Sequence, residues 1–444
     1  MRIVIVGAGS TGTHLAKYLS GEKMDIYIID KDGSKLSMLD SEYNLMTIEG
    51  DGTAFSTLRQ ADVGKCALFI AVTDIAERNI VICGIAKSMG AKMTVARVDR
   101  HDYIEPQSLD ALHAMGVDNA IFPEYLLAKG INEALKHPWA RNWYEFNKGE
   151  MIIVGIRLAD NAPIAGKYLR DLFQKQRFFH VVAIRRHFTT LIPNGDTQLL
   201  PGDILYVTIS YSDQEKLGLF TGKHLFDIKN VLIAGGGKIV EMTLETAPKT
   251  FNFTVIDNDY NRAQELIRQS PACDVIVGEA GDPNVLEEAG VGKADAFVAL
   301  TETPEGNILT CLMAKDMGIR KTIADIEHPY FFNMGESFNI GTILNKQMQM
   351  ANTIFQLMID SDSFSSKFLV LPDADVVRLE IKKESKITSV PIKDLKVPEG
   401  ITFAGFIRNN RSAVITGQTE LQVGDQILVV CLKGSLKKVQ KLLN

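Results

Sequence analysis

A strand, a glycine turn and a helix are written twice in this chain, and that repeat limits the folds open to it. Residues 2–12 read RIVIVGAGSTG, an apolar run followed by Gly7-x-Gly9-x-x-Gly12. A degraded copy, NVLIAGGGKIV, occupies residues 230–240. An apolar run closed by glycines and followed by a helical pattern is typical of the first βα unit of a dinucleotide-binding domain.

The two copies keep one register over long stretches. Gly7 and Asn79 recur at Gly235 and Asn307, each 228 positions later (235 − 7). Within each copy, short runs that are apolar throughout alternate with stretches of helix length, which predicts strands covered on both faces in a parallel sheet. The expected fold class is α/β, with two doubly wound, Rossmann-like domains. In the first copy the predicted strands are Ile3–Val6, Ile26–Ile29, Leu45–Ile48, Leu68–Val72 and Met93–Val98.

A smaller module follows each of these domains. Residues 150–210 and 376–432 read as short β segments separated by turns such as Pro201-Gly202-Asp203 and Val423-Gly424-Asp425. Each segment predicts a compact α+β unit. A Rossmann-like domain (N) and a small module (C) therefore alternate along the chain in the order N–C–N–C. The predicted domain bounds are 1–137, 138–225, 226–360 and 361–444.

Composition limits the partners. The 444 residues carry a formal net charge of −6, which does not favour nucleic-acid binding because phosphate recognition needs a positive field. No apolar run approaches the ~18–20 residues that span a bilayer. The first strand begins too early for a signal peptide. We expect a cytoplasmic protein that binds no nucleic acid.

The chemistry is concentrated in the first copy. Gly7 permits the tight turn, Gly9 lets the backbone approach a pyrophosphate, and Gly12 permits close packing of the helix. Asp30, at the end of the second strand, is expected to accept hydrogen bonds from the adenosine ribose, and a carboxylate there favours NAD over NADP. The predicted cofactor-binding residues are Gly7, Ala8, Gly9, Ser10, Thr11, Gly12, Asp30, Lys31, Gly50, Asp51, Thr73, Asp74, Asn79 and Arg97.

The later members of this set follow other strands of the predicted sheet. Asp51, Thr73 and Arg97 fall at its carboxyl edge, where open α/β folds bind ligands. Arg97 could place its charge against the phosphates, although a salt-bridged surface arginine is the structural alternative. Thr73 could equally cap the helix that follows.

The second copy keeps the acidic residue, Asp257, but changes other positions. Val240 replaces the third glycine, Glu279 replaces Asp51, and Asp325 replaces Arg97. An anion in place of a cation beside a phosphate reverses the Coulomb energy. We expect this copy to bind nucleotide weakly or not at all.

Together these motifs resemble a known family. The first copy is similar to TrkA-N (RCK/KTN) nucleotide-binding domains, and the module after it resembles TrkA-C domains. The tandem order, which covers nearly the whole chain, is similar to the regulatory subunits of Trk-type potassium-uptake systems. The motifs that carry the resemblance are the glycine pattern with Asp30, Gly50-Asp51, Ala71-Val72-Thr73-Asp74, Glu77-x-Asn79, Ala96-Arg97-Val98, Leu200-Pro201-Gly202-Asp203-x-Leu205 and Leu421-Gln422-Val423-Gly424-Asp425.

The resemblance implies a gating subunit rather than an enzyme, and the predicted site residues include no catalytic residue and no metal ligand. It leaves open whether the small modules bind a second effector, such as a cyclic dinucleotide or a metal. NAD(H), and in some members ATP or ADP, binds at the first-copy site. Such chains form rings, commonly homotetramers, beneath a membrane potassium-translocating subunit of the TrkH/TrkG type. The resemblance therefore implies that the chain lies at the inner face of the plasma membrane, bound through this partner.

Two alternatives remain open on the sequence. An NAD-dependent oxidoreductase would need a proton-transfer group beside the nicotinamide, and His101-Asp102 after the fifth strand is the candidate dyad. A surface His-Asp pair at a helix start is the structural alternative for these two residues. The other interpretation is a sensor subunit of a different transporter, such as an antiporter.

Overall fold

The computed structural model describes residues 2–20, 25–42, 45–172, 178–360, 366–371 and 374–433, with Ser435 and Lys438. Within these residues, every helix is too short or too polar to cross a membrane. The described chain forms four sheets, two of them parallel and two antiparallel.

The first sheet is parallel and has six strands in the order β3-β2-β1-β4-β5-β6. This order confirms the predicted doubly wound fold, because the chain reverses direction across the sheet between β1 and β4. The strands are β1 Arg2–Val6, β2 Asp25–Asp30, β3 Met46–Glu49, β4 Leu68–Ala71, β5 Thr94–Arg97 and β6 Asn119–Ile121. The helices are α1 Ser10–Ser20, α2 Gly33–Glu42, α3 Phe55–Gln60, α4 Ala76–Ser88, α5 Pro106–Ala114 and α6 Pro123–Lys136.

Two details of this sheet differ from the sequence prediction. Strand β3 is not covered on both faces, and Met46 exposes 58% of its surface. The reason is its position, since β3 lies at the edge of the sheet and has a neighbour on one side only. Strand β6 forms the opposite edge and was not predicted, because three residues give too short an apolar run to recognise.

The first small module contains a five-stranded antiparallel sheet in the order β10-β9-β11-β8-β7. The edge strand β7 was not predicted, because its sequence NWYEF is half polar. The elements are β7 Asn142–Phe146, β8 Met151–Arg157, α7 Leu169–Leu172, β9 Phe179–Arg186, β10 Thr189–Leu191, β11 Ile204–Ser210 and α8 Gln214–Thr221.

The second half repeats both architectures. Its parallel sheet has the order β14-β13-β12-β15-β16-β17, and its antiparallel sheet the order β18-β19-β22-β20-β21. The parallel domain contains β12 Asn230–Ala234, α9 Lys238–Thr246, β13 Asn252–Asp257, α10 Tyr260–Gln269, β14 Asp274–Val277, α11 Pro283–Glu288, β15 Ala296–Ala299, α12 Pro304–Asp316, β16 Lys321–Asp325, α13 Pro329–Ser337, β17 Thr342–Leu344 and α14 Lys346–Asp360. The small module contains β18 Ser366–Leu371, β19 Ala374–Glu380, α15 Lys386–Ser389, β20 Ile401–Arg408, β21 Arg411–Val414 and β22 Gln426–Leu432.

The chain divides into two compact units that do not follow the sequence domains. The first unit contains residues 1–127 and 346–354, and the second contains residues 128–345 and 355–444. Each unit therefore includes part of a helix that follows the other parallel sheet. The first half of α14 belongs with the first parallel domain, and the second half of α6 belongs with the second. The predicted bounds at 137 and 360 remain predictions about the sequence domains.

Within the second unit, the two antiparallel sheets share one core. Apolar side chains of both sheets are buried in a single cluster, so each small module covers the inner face of the other. The approach is close at Gly405, where an added Cβ would overlap the Met151 sulfur. The fully buried members include Ile153, Val182, Val376, Leu428 and Val430.

The Gly-Asp turns found in the sequence are built around a buried carboxylate. Asp203 accepts hydrogen bonds from Arg186 Nε at 2.8 Å and Nη2 at 2.7 Å, and it also accepts the Leu200 amide at 2.8 Å. In the second module Asp425 and Arg408 form the same bidentate pair, with both distances 2.7 Å. The carboxylate of each pair is buried and its arginine is partly exposed, and the pair fixes the turn to the end of β9 in the first module and of β20 in the second.

Asp203→Asn keeps the shape of this side chain but removes its charge. The Arg186 guanidinium would then face a neutral group in a half-buried position, so we expect the free energy of unfolding to fall by about 2–4 kcal/mol. Urea unfolding followed by tryptophan fluorescence measures this loss. Trp139 and Trp143, the two tryptophans of the chain, both belong to the first small module's core and edge strand.

The control is Asp196→Asn in the same module. Asp196 is 75% exposed and pairs with Arg170 at the surface, so its loss should cost less than about 1 kcal/mol. Equal losses in the two variants would contradict the structural role assigned to Asp203.

Candidate nucleotide-binding site

A cleft of about 310 Å³ opens at the carboxyl edge of the first parallel sheet, at the point between β1 and β4 where the strand order reverses. Open α/β sheets bind ligands at this topological switch point. Most of the predicted site residues meet there. The cleft is lined by Val6, Gly7, Gly9, Ser10, Thr11, Ile29, Asp30, Lys31, Lys35, Gly50, Asp51, Gly52, Val72, Thr73, Asp74, Arg78, Ile82 and Arg97.

The three glycines of the loop meet three different steric conditions. Gly7 has a φ of +108°, and a Cβ there would lie 2.9 Å from the Val72 carbonyl oxygen. A Cβ at Gly12 would overlap the Gly7 carbonyl oxygen. A Cβ at Gly9 would meet no protein atom within 4 Å. Glycine is thus required by the fold at positions 7 and 12, whereas at Gly9 its absent side chain leaves open space for a ligand to approach the backbone.

Asp30 is the link between this loop and the second strand. Its Oδ2 accepts the Ala8 amide at 2.6 Å, and its Oδ1 accepts the Asp32 amide at 2.9 Å. Each carboxylate oxygen can accept more than one hydrogen bond, so both remain able to receive ribose hydroxyls. Ala8 was predicted to bind cofactor; it is buried outside the cleft lining, and its amide serves the loop through Asp30.

Asp51 is held ionised at the end of the third strand. Hydrogen bonds from the Thr53 amide at 2.9 Å, from Lys31 and from the Thr53 hydroxyl lower the pKa of Asp51 to about 2. Lys31 Nζ lies 2.9 Å from Asp51 Oδ2. The cleft therefore presents an ionised carboxylate, paired with the Lys31 side chain, beside the position expected for the adenosine.

Arg97 satisfies both interpretations that the sequence left open. It lines the cleft, and its Nη2 also lies 3.9 Å from Glu124 Oε1 at the start of α6. The same Glu124 oxygen lies 3.4 Å from Lys346 Nζ, at the start of α14. An anionic ligand in the cleft would compete with Glu124 for the Arg97 guanidinium.

Asn79 is placed differently from the prediction. It is fully buried and does not line the cleft. Its Oδ1 accepts the Thr73 amide at 2.9 Å and hydroxyl at 2.6 Å, while its Nδ2 donates to the carbonyls of Thr73 at 3.2 Å and Arg97 at 2.9 Å. Asn79 thus fixes the ends of β4 and β5 to each other, because every polar atom of its amide is used inside the protein.

The second copy repeats this set of four hydrogen bonds, in which one asparagine side chain joins the ends of two neighbouring strands and which we call the asparagine bracket. Asn307 accepts from the Thr301 amide at 2.8 Å and hydroxyl at 2.7 Å, and it donates to the carbonyls of Thr301 at 3.2 Å and Asp325 at 2.9 Å. The bracket survives where the charges around the cleft have changed. Its role is therefore positioning in both halves.

Two cations of the cleft were missed by the sequence analysis. Lys35 lies in the first turn of α2 and Arg78 in the first turn of α4, where Arg78 Nη1 lies 3.6 Å from Asp74 Oδ1. A usable signal exists for both, since each follows the carboxyl end of a strand by a few residues. Gly12, like Ala8, is buried outside the lining and acts through the backbone of the loop.

In the second copy, the acidic residue equivalent to Asp30 is buried and bonded to other groups of the protein. Asp257 exposes 4% of its surface, accepts the Asp259 amide at 2.7 Å, and lies 3.4 Å from Arg262 Nε. Arg262 stands where the first copy has Ser34 (262 − 228). Val240 is fully buried at the position of Gly12, so the backbone of this loop cannot repeat the first one, which has no room for a side chain there.

Comparison with known proteins agrees with this arrangement along the whole chain. The model of the TrkA-N domain matches residues 3–123 and 231–345, and the model of the TrkA-C domain matches residues 153–220 and 376–444. The chain belongs to the TrkA family. Both parallel domains are TrkA-N domains and both small modules are TrkA-C domains, as the sequence motifs predicted.

Similar proteins span the same length. The chain is 28% identical over 443 residues to a Trk system potassium uptake protein TrkA homolog of Archaeoglobus fulgidus, covering 100% of both. It is 26% identical over 449 residues to the Trk system potassium uptake protein TrkA of Halomonas elongata, covering 100% of this chain and 98% of that protein. Among solved structures, the GsuK channel bound to NAD has the same fold, with a TM-score of 0.58, 17% identity, and coverage of 100% of this chain and 78% of that one.

The asparagine bracket can be tested in both copies at once. Asn79→Ala and Asn307→Ala each leave buried backbone groups without partners, so each should lower the free energy of unfolding by about 2–4 kcal/mol. Chemical unfolding followed by circular dichroism measures the loss. A variant of Asn79 that kept full stability would contradict the positioning role and would return this residue to the set of direct ligand contacts.

Proposed function

We propose that this chain is a nucleotide-sensing regulatory subunit of a Trk-type potassium-uptake system. NAD(H), or ATP or ADP at the same site, binds in the first cleft and changes the gating of a membrane potassium-translocating subunit of the TrkH/TrkG type. The chain works in the cytoplasm, on the inner face of the membrane, as a homotetrameric ring. The observation that carries the proposal is the glycine loop with Asp30 at the switch point of the first sheet.

The chemistry of the cleft supports a nucleotide. The open space at Gly9 and the amides at the start of α1 suit a pyrophosphate, because a helix N-terminus stabilises anions. The carboxylate of Asp30 suits ribose hydroxyls, and it disfavours a 2′-phosphate at the same place. The names of the relatives, which are potassium uptake proteins, support the transport role.

A route for coupling begins at the glycine loop, residues 7–12. Gln347 of α14 is buried within the first unit, and its Nε2 lies 3.4 Å from the Ser10 hydroxyl. Its Oε1 is buried without a hydrogen-bond partner among the described residues. A phosphate bound at Ser10 would change this contact, and α14 then continues into residues of the second unit. A ligand moves such a helix only to the extent that it prefers one position, at about 1.4 kcal/mol for each tenfold preference.

The binding site is tested by calorimetry with NADH, NAD and ATP. The wild-type chain should bind about one nucleotide, and Asp30→Ala should weaken the binding at least about tenfold because it removes charge-assisted hydrogen bonds to the ribose. Asp257→Ala is the matched control, since it deletes the equivalent carboxylate of the second copy and should leave the affinity unchanged. Two equivalent sites per chain, or unchanged affinity in Asp30→Ala, would contradict the proposal.

Coupling is tested by potassium uptake in cells that contain the native transport system but lack this chain. Wild-type protein should restore growth at low potassium, while Asp30→Ala should restore it less well, because less of its cleft is occupied at the same nucleotide concentration. Gln347→Leu keeps the cleft intact, so it should retain nucleotide affinity within about threefold yet restore uptake poorly. Full uptake with Gln347→Leu would remove α14 from the route, and full uptake with Asp30→Ala would separate the cleft from gating altogether.

A further inference from the structure

A second cluster of side chains that can bind ligands includes none of the residues that line the nucleotide cleft. Glu133, His137 and Glu145 each offer one donor atom, and these three atoms lie within 4.8 Å of one another. All three residues belong to the second compact unit. We propose that they form a binding site for a divalent transition-metal ion of the zinc type, which joins the end of α6 to the edge strand β7.

The backbone brings two of the donors to one helix face. Glu133 and His137 are four positions apart, and the His137 amide donates to the Glu133 carbonyl at 3.1 Å, so the helical turn includes both. His137 Nε2 lies 3.9 Å from Glu133 Oε2. Donors around a tetrahedral zinc ion are about 3.3–3.6 Å apart, as its bonds of about 2.0–2.2 Å require, so a small side-chain rotation closes the gap.

Trp143 orients the other two members of the site. Its ring stacks on the His137 ring with a centroid distance of 3.6 Å and an angle of 7°. Its Nε1 donates to Glu145 Oε1 at 3.0 Å. Trp143 and Glu145 are two residues apart on β7 and therefore share a face of the strand. Metal sites commonly hold their ligands in place through such outer contacts.

The donor set indicates the class of ion. One imidazole nitrogen with two carboxylate oxygens suits zinc and its transition-metal neighbours, whereas calcium and magnesium prefer oxygen donors alone. Open coordination positions would be filled by water on the exposed side of Glu145.

Lys136 and Lys321 both act against a bound cation at His137, and Lys136 gives the site a distinctive test. Lys136 Nζ lies 2.6 Å from Glu133 Oε1, and the lysine side chain is 44% exposed. A bound cation must displace this ammonium or tolerate its repulsion. Removing the charge should therefore strengthen metal binding, which a general loss of structure could not do.

The experiment uses the full chain after removal of metal with EDTA. Titration with Zn²⁺ by calorimetry should give one site per chain, and Co²⁺ should bind there without the thiolate charge-transfer band that cysteine ligands produce. His137→Gln and Glu145→Gln should each weaken binding at least tenfold, while Lys136→Gln should tighten it several-fold. His224→Gln, at an exposed histidine of the same unit, is the matched control and should change nothing.

A second readout does not depend on any variant. Ni²⁺ or Co²⁺ bound to the stacked imidazole should quench Trp143 fluorescence with the same saturation curve as the binding. Absence of saturable binding below about 1 mM, equal affinity in His137→Gln and wild type, or binding without quenching would each overturn the proposal. If His137→Gln does not fold, the quenching of the wild type and the gain in Lys136→Gln decide the matter. None of these results involves nucleotide, so they stand or fall independently of the proposed gating function.

Discussion

The path of the backbone from β1 into α1 is the constraint on which the nucleotide cleft depends. Gly12 passes so close to the Gly7 carbonyl that only a hydrogen atom fits, and Gly7 itself turns at a φ of +108° against the backbone of Val72. This compact turn brings the amide of Ala8 to Asp30, which ties the loop to the second strand. The open surface at Gly9 exists because the residues on either side of it are held so tightly.

The two halves of the chain share hydrogen bonds that hold the strands together, but they differ in the charged residues around the cleft. The brackets of Asn79 and Asn307 repeat the same four hydrogen bonds, because both halves join the corresponding strands in the same order. The charges around the cleft obey no such requirement. Asp257 is buried against Arg262 in the second half, whereas Asp30 faces an open cleft in the first, and both sheets are formed equally well.

Helices α6 and α14 are each divided between the two compact units. The start of α14 contacts the glycine loop through Gln347. The end of α6 contributes to the cluster that we propose as a metal site. Asn132 of α6 also donates to the Thr246 hydroxyl of the second parallel domain at 2.9 Å.

The sequence by itself determined the fold class, the family, the duplication and the position of the cleft. These follow from local rules, since glycine spacing and uninterrupted apolar runs constrain the backbone directly. It did not distinguish Asn79, which holds two strand ends together, from Asp51, which faces the cleft. Nor did it locate Lys35 or Arg78, or the exposure of β3.

Only the tertiary structure decided these points, because they depend on which residues meet across long separations in the chain. The cluster of Glu133, His137 and Glu145 is invisible as a sequence motif until β7 is placed against the end of α6. The sharing of α6 and α14 between the two compact units is likewise set by packing. Local sequence patterns specify which helices and strands form. The burial of their apolar faces against one another, a non-local contribution to the free energy, specifies which side chains meet.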